Sequence, residues 1–143
     1  MKERVHELLS ELYELEASQK FSLSSPEAAV LNLLPYRKKK TEHFIALAVD
    51  NKNRLICRKV MSRGTVDQAP VFPREIVRFA LIKQASGIIL AHNHPGGDPE
   101  PSLQDRELTN KIKRVCVELG IRVLDHIIIA ETGHFSFQEH GYL

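Results

Sequence analysis

A chain of 143 residues is about one domain long, enough to bury a core without disulfide or metal staples. Its 43% hydrophobic and 27% charged residues are ordinary for a globular domain, and a net charge of +2 is too mild to argue by itself for nucleic acid. No apolar run reaches the ~18 residues of a membrane span, and the opening MKERVHELLSELYELE is too charged for a signal peptide, so no membrane partner and a cytoplasmic location are expected. Cys57 and Cys116 form neither a CxxC pair nor a disulfide framework and read as buried thiols of a reducing compartment.

Val5, Leu8, Leu9, Leu12 and Leu15 fall on one stripe of a helix over residues 2–16. Ser25 caps a second, short helix, Pro26 opens it, and the helix runs to about Leu34, where Pro35 stops it. Arg37–Lys40 is a basic connector. Residues 1–40 are therefore expected to form a helical N-terminal extension packed on a core domain of residues 41–143.

From Glu42 the period changes. HFIALAVD reads as a strand, Asn51–Asn53 as a turn, and residues 54–64 as the returning strand of a hairpin. After a loop at 65–73, Pro73-Arg74-Glu75 opens a helix to about Ala85. Ile76, Phe79, Ala80 and Leu81 form its inner side and Gly87 its stop. GIILAHNH, residues 87–94, is the nearly all-apolar run of a strand buried on both faces. Pro95–Pro101 is a loop. The next helix runs from about Ser102 to Leu119, with Leu108, Ile112, Val115 and Leu119 at helical spacing and Gly120 as its stop. IRVLDHIIIAE is a strand, Thr132-Gly133 a turn and HFSFQ the last strand. This β-β-α-β-α-β-β order predicts an α/β (mixed α+β) fold, a mixed sheet with helices packed on it.

The chemistry concentrates in His92-Asn93-His94-Pro95 and Ser102-Leu103-Gln104-Asp105. Residues i and i+2 of a strand project from the same face, so His92 and His94 can aim at one point. The loop carrying Gly96, Gly97, Pro99 and Pro101 can bring Asp105, in the first turn of the next helix, back to that point. Two histidines and a carboxylate leave a fourth tetrahedral position open, the pattern of catalytic zinc. Plainer readings exist for each part. A strand-end H-x-H is commonly a surface or core pair, and Ser102-x-x-Asp105 is also a helix capping box. The two readings of Asp105 are compatible, because one carboxylate oxygen can meet an N–H while the other meets a metal.

The joint pattern H-x-H-P-x6-S-x2-D resembles the JAMM (MPN/JAB) metalloprotease signature, and the run HNHPGGDPEPSLQD is similar to the RadC family in particular. TEHFIALAVDNKN, Pro73-Arg74-Glu75 and VLDHIIIA agree with it, so the resemblance covers residues 41–143. It implies a JAMM/MPN-type, cytidine-deaminase-like mixed sheet flanked by helices, with one zinc (Zn2+) per chain. It implies His92, His94 and Asp105 as metal ligands, Ser102 as the hydrogen-bond donor to a developing oxyanion, and an upstream glutamate as proton shuttle. Glu42 suits that last role because it immediately precedes the first core strand. Glu75 is the rival, although a glutamate in a helix's first turn also simply suits the helix dipole.

The implied activity is that of a zinc-dependent hydrolase, a metallopeptidase or isopeptidase acting on a peptide or protein substrate. The alternative is a non-catalytic RadC-like module serving DNA repair or maintenance through protein or DNA contacts. A nuclease is a weaker third reading, since ligands for only one ion are in view. Longer RadC proteins carry an N-terminal helix-hairpin-helix module. Residues 1–40 lack its glycine-bearing turn, so nucleic-acid binding is expected to be weak at most, and Arg37–Lys40 reads as a solvated connector. Nothing in the pattern points to an oligomeric state. His126 reads as a packed histidine with a satisfied ring, because alternation puts it and Asp125 on opposite faces. Asp98 reads as a turn former, and His134 and His140 have no ligand spacing to the site.

Overall fold

The alternation that begins at Glu42 builds a five-stranded mixed sheet in the computed structural model, which describes residues 3–9, 22–64 and 70–143. The strands are β1 (His43–Val49), β2 (Leu55–Arg63), β3 (Gly87–Asn93), β4 (Arg122–Ala130) and β5 (Gly133–Ser136), in the spatial order β2-β1-β3-β4-β5. β3 and β4 are parallel, and the other neighbours are antiparallel. The helices are α1 (residues 3–9), α2 (Pro26–Leu31), α3 (Pro73–Ile82) and α4 (Leu103–Glu118). This is the mixed α/β architecture that the element order predicts. Leu12 and Leu15 of the expected first helix lie outside the described residues.

β1 and β3 are buried along their whole length, which explains their unbroken apolar runs. Ile45, Leu47, Val49, Ile89, Ala91, Ile127 and Ile129 line one face of the sheet, under Leu23, Ala29 and Leu33 from the segment around α2. Phe44, Ile88 and Leu90 turn to the other face, against Ile76, Val77 and Ala80 of α3 and Ile112 and Cys116 of α4. Val5, Leu8 and Leu9 of α1 are exposed. Among the described residues, no helix is long and apolar enough to cross a membrane.

The structure corrects several local expectations. α2 ends at Leu31, and Pro35 lies inside a 3-10 turn (Leu34–Tyr36), where a fixed φ fits and a missing N–H costs nothing in the first turn. α3 ends at Ile82, and the chain turns through Gln84 at φ 53 rather than at Gly87. Leu81 faces outward. On α4 the sheet-facing residues are Thr109, Ile112 and Cys116, while Val115 and Leu119 are exposed. A threonine in that stripe hid its phase from an apolar count. Of the two thiols, only Cys116 is fully buried.

Gly87 opens the central strand instead of closing a helix. A Cβ there would stand 2.8 Å from Leu124 Cδ1 and 3.1 Å from the Arg122 carbonyl oxygen. Gly87→Ala is expected to lower stability by about 1–3 kcal/mol, the usual cost of overpacking a core. Chemical denaturation with an unchanged midpoint would contradict that close packing.

Candidate metal centre

The site forms where β3 leaves the sheet. His92 sits opposite Phe44 of β1 in the antiparallel register, and its side chain is 1% exposed. His94 lies one residue past the strand, where its N–H still bonds the Ile129 carbonyl at 2.9 Å and prolongs the pairing with β4. Both imidazoles therefore leave the same face. The chain reverses through Gly97 at φ 90, whose carbonyl accepts a hydrogen bond from Thr132, and returns as α4.

Ser102 caps that helix. Its Oγ accepts the Asp105 N–H at 3.0 Å, and Asp105 Oδ2 accepts the Ser102 N–H at 2.9 Å. The reciprocal bonds hold the Asp105 carboxylate still. Its Oδ1 lies 3.4 Å from His92 Nε2 and its Oδ2 3.4 Å from His94 Nε2. Glu42, one residue before β1, reaches the same point. Its Oε1 is 3.8 Å from His92 Nε2, and Glu42, His92 and His94 offer ligand atoms all within 4.8 Å of one another. Glu75 points elsewhere, pairing with Arg74 at 4.0 Å and Arg78 at 3.8 Å on the surface of α3.

His92 Nε2 and His94 Nε2 are 2.8 Å apart. The other ring nitrogen of His94, Nδ1, bonds the Asp98 carbonyl at 2.8 Å, and a carbonyl can only accept. Neutral His94 therefore presents a bare Nε2 lone pair to His92. Nitrogens this close need a proton or a cation between them, and two carboxylates face the same point. A set of two imidazole nitrogens and carboxylate oxygens suits a borderline cation such as zinc.

The electrostatics agree. Burial acts to raise the Asp105 pKa, but the imidazoles of His92 and His94, each 3.4 Å away, hold the carboxyl well below the usual carboxylate range. Burial lowers His92 by more than Asp105 restores. Burial also acts to lower His94, yet Asp105, the Asp98 carbonyl and Glu42 together raise it. The pair thus titrates with His94 as its cationic member.

A family model described as a RadC-like JAB domain matches residues 23–142. The chain belongs to the RadC family. It is 44% identical over 133 residues to a UPF0758 protein of Histophilus somni, covering 92% of this chain and 59% of that protein. It is 39% identical over 142 residues to a UPF0758 protein of Photorhabdus laumondii, covering 97% and 61%. A UPF0758 protein of Streptococcus agalactiae is 40% identical over 134 residues, covering 93% and 59%. The chain thus spans 59–61% of the length of these curated relatives.

Within this RadC-like domain, sequence reasoning missed three residues that organise the centre. Asn93, between the two histidines, is wholly buried on the opposite face. Its Oδ1 accepts the His43 N–H at 2.6 Å, and its Nδ2 donates to the carbonyls of Thr41 at 3.0 Å and Lys39 at 3.3 Å. These bonds bracket Glu42 and fix the backbone that carries it. Asn93→Leu would leave those groups without partners, with an expected loss of about 1–3 kcal/mol for buried unsatisfied polar atoms. Unchanged thermal and urea stability would show that the anchor is idle. The other two missed residues, His126 and Thr109, stand behind His92 and bond it in series. His126 is indeed packed with both ring nitrogens partnered, and one partner is His92. A helical i, i+4 reading of Asp105 and Thr109 would have put them on one face.

Proposed function

We infer that this domain is a zinc-dependent hydrolase of amide bonds, a metallopeptidase or isopeptidase in which His92, His94 and Asp105 hold one zinc per chain. The observation that carries this reading is the convergence on one point of two imidazole Nε2 atoms and the capping-box carboxylate of Asp105, with Glu42 beside them. Asp105 suits a ligand because its orientation is already fixed through Ser102. Glu42 stands slightly further off, at 3.8 Å against 3.4 Å from His92 Nε2, which suits proton transfer.

When bound, zinc supplies a Lewis acid and lowers the pKa of a coordinated water to roughly 7. The protein's residues do the rest. Glu42 accepts the proton of the attacking water and returns it to the leaving amine. Ser102 Oγ already accepts the Asp105 N–H, so its hydroxyl proton is left to donate to the substrate carbonyl oxygen as charge develops there. Asp98 and Ser102 keep His94 and Asp105 oriented through the bonds described above.

The test combines metal analysis with hydrolysis. Protein loaded with zinc and freed of excess is expected to retain one ion per chain and to cleave members of a mixed library of linear and isopeptide-linked fluorogenic peptides. A chelator should abolish the cleavage and added zinc restore it. Failure to retain zinc would sink the reading. Zinc without cleavage of any amide would favour a non-catalytic module.

A further inference from the structure

The His92 ring has a second nitrogen, and its partner lies deep in the core. His92 Nδ1 is 2.8 Å from His126 Nε2, and His126 Nδ1 is 2.5 Å from Thr109 Oγ1. Thr109 Oγ1 in turn bonds the backbone carbonyl of Asp105 at 2.7 Å. The direction of every proton in this series follows from its last member. The Asp105 carbonyl can only accept, so the Thr109 hydroxyl spends its one hydrogen there. Thr109 Oγ1 can then only accept from His126, which places the His126 ring proton on Nδ1.

His126 is fully buried, stacked on Phe137 with ring centroids 4.6 Å apart and met edge-on by Phe44 at 5.6 Å. Its ring nitrogens meet Thr109 and His92, and among the described residues no carboxylate stands within ion-pair distance, so a second ring proton would be an unpaired buried charge and the ring carries one proton only. A neutral ring with its proton on Nδ1 offers a lone pair at Nε2. His92 must therefore donate from Nδ1, and its own Nε2 is left bare, facing the point shared with His94, Asp105 and Glu42.

We propose that Thr109 and His126 are positioning residues of the metal centre: a buried relay that locks His92 in the Nδ1–H tautomer and ties its imidazole to the backbone of Asp105. Neither residue touches the metal point. The relay joins the strand that carries His92 to the helix turn that carries Asp105, so two candidate ligands on different elements are held by one line of hydrogen bonds. The inference rests on the metal reading for its purpose, while the tautomer is a property of the folded protein alone. Outer partners that orient a ligating histidine typically change metal affinity by about 10–100-fold when removed.

Two substitutions at one position separate orientation from packing. His126→Phe keeps an aromatic ring between Phe137 and Phe44 but removes the acceptor. His126→Gln loses the ring but can present an oxygen near the place of Nε2. Zinc affinity, measured by competition with a chromophoric chelator, is expected to fall about 10–100-fold in His126→Phe and to be largely restored in His126→Gln. Thr109→Val should lose affinity and Thr109→Ser keep it. Equal affinity of the phenylalanine variant and the unaltered protein, or equal loss in phenylalanine and glutamine, would overturn the relay.

A second measurement needs neither substitution nor metal. Long-range 15N–1H spectra of the apo protein should show His126 and His92 each protonated on Nδ1 with Nε2 bare. A His92 proton on Nε2 would overturn the relay even if zinc binds. Failure of the unaltered protein to bind zinc would remove the metal reading, and the spectra would then decide the relay by themselves.

Discussion

Replacing His92 and His94 together with alanine is expected to abolish stoichiometric zinc binding while the chain stays folded. The double variant removes both imidazole nitrogens from a point where they now stand 2.8 Å apart. Asp105 and Glu42 would remain, but a pair of carboxylates without imidazole is a set for hard cations rather than zinc. The loss should exceed the roughly 100-fold that outer partners can cause, because the ligands themselves are gone. The fold should survive. His94 lies at the rim, and on its inner side His92 bonds the buried His126. Leaving that acceptor without a partner costs about 1–3 kcal/mol, a fraction of the 5–15 kcal/mol typical of a domain. Metal analysis after gel filtration, read beside far-UV circular dichroism, checks both halves. Stoichiometric zinc in the double variant would remove the assignment.

The second large effect concerns the proton. Were His92, His94 and Asp105 to hold a metal, Glu42, whose carboxylate groups with both histidine nitrogens within 4.8 Å, would be left beside it to take a proton. It sits one residue before β1, and the bonds from Asn93 hold the backbone on both sides of it. Its side chain is 13% exposed, close enough to solvent to exchange a proton, and its Oε1 lies 3.8 Å from His92 Nε2. Glu42→Gln is nearly isosteric but cannot take a proton. It should keep zinc and stability and lose amide hydrolysis by about 10²–10⁴-fold, the usual worth of a general base. Glu75→Gln is the comparator. Glu75 pairs with Arg74 and Arg78 on α3, so its loss should leave turnover intact and cost about 0.3–1 kcal/mol through the helix dipole. Zinc lost from Glu42→Gln would make Glu42 a ligand instead of a shuttle. Turnover lost from Glu75→Gln would reverse the two roles.

Punctuation and period carried much of this fold because both are local. The all-apolar runs of β1 and β3, the proline at the start of α3 and the Ser102 cap can each be read within a few residues. The H-x-H and S-x2-D spacings are also local, since a strand end and a helix's first turn each set the direction of their own side chains. That is why the residues converging here were legible from the chain alone. Where local signals competed, they misled. Gly87 looked like a helix stop, yet it serves close packing against Leu124, and Pro35 looked like a terminator, yet it sits within a 3-10 turn.

What the linear chain determined, then, was the order of elements, the mixed α/β class and the cluster of His92, His94 and Asp105, each dictated by chemistry within a turn or a strand. Tertiary structure alone decided which glutamate joins them and what stands behind them. The antiparallel register of β1 with β3 sets Phe44 against His92 and so brings Glu42 alongside. The parallel register of β3 with β4 sets His126 against Leu90, on the same face as His92, and α4 lays Thr109 over it. Pairing register has no local code. It is chosen by how all the buried faces of the sheet fit together, and a slip of one residue would turn His126 to the opposite face.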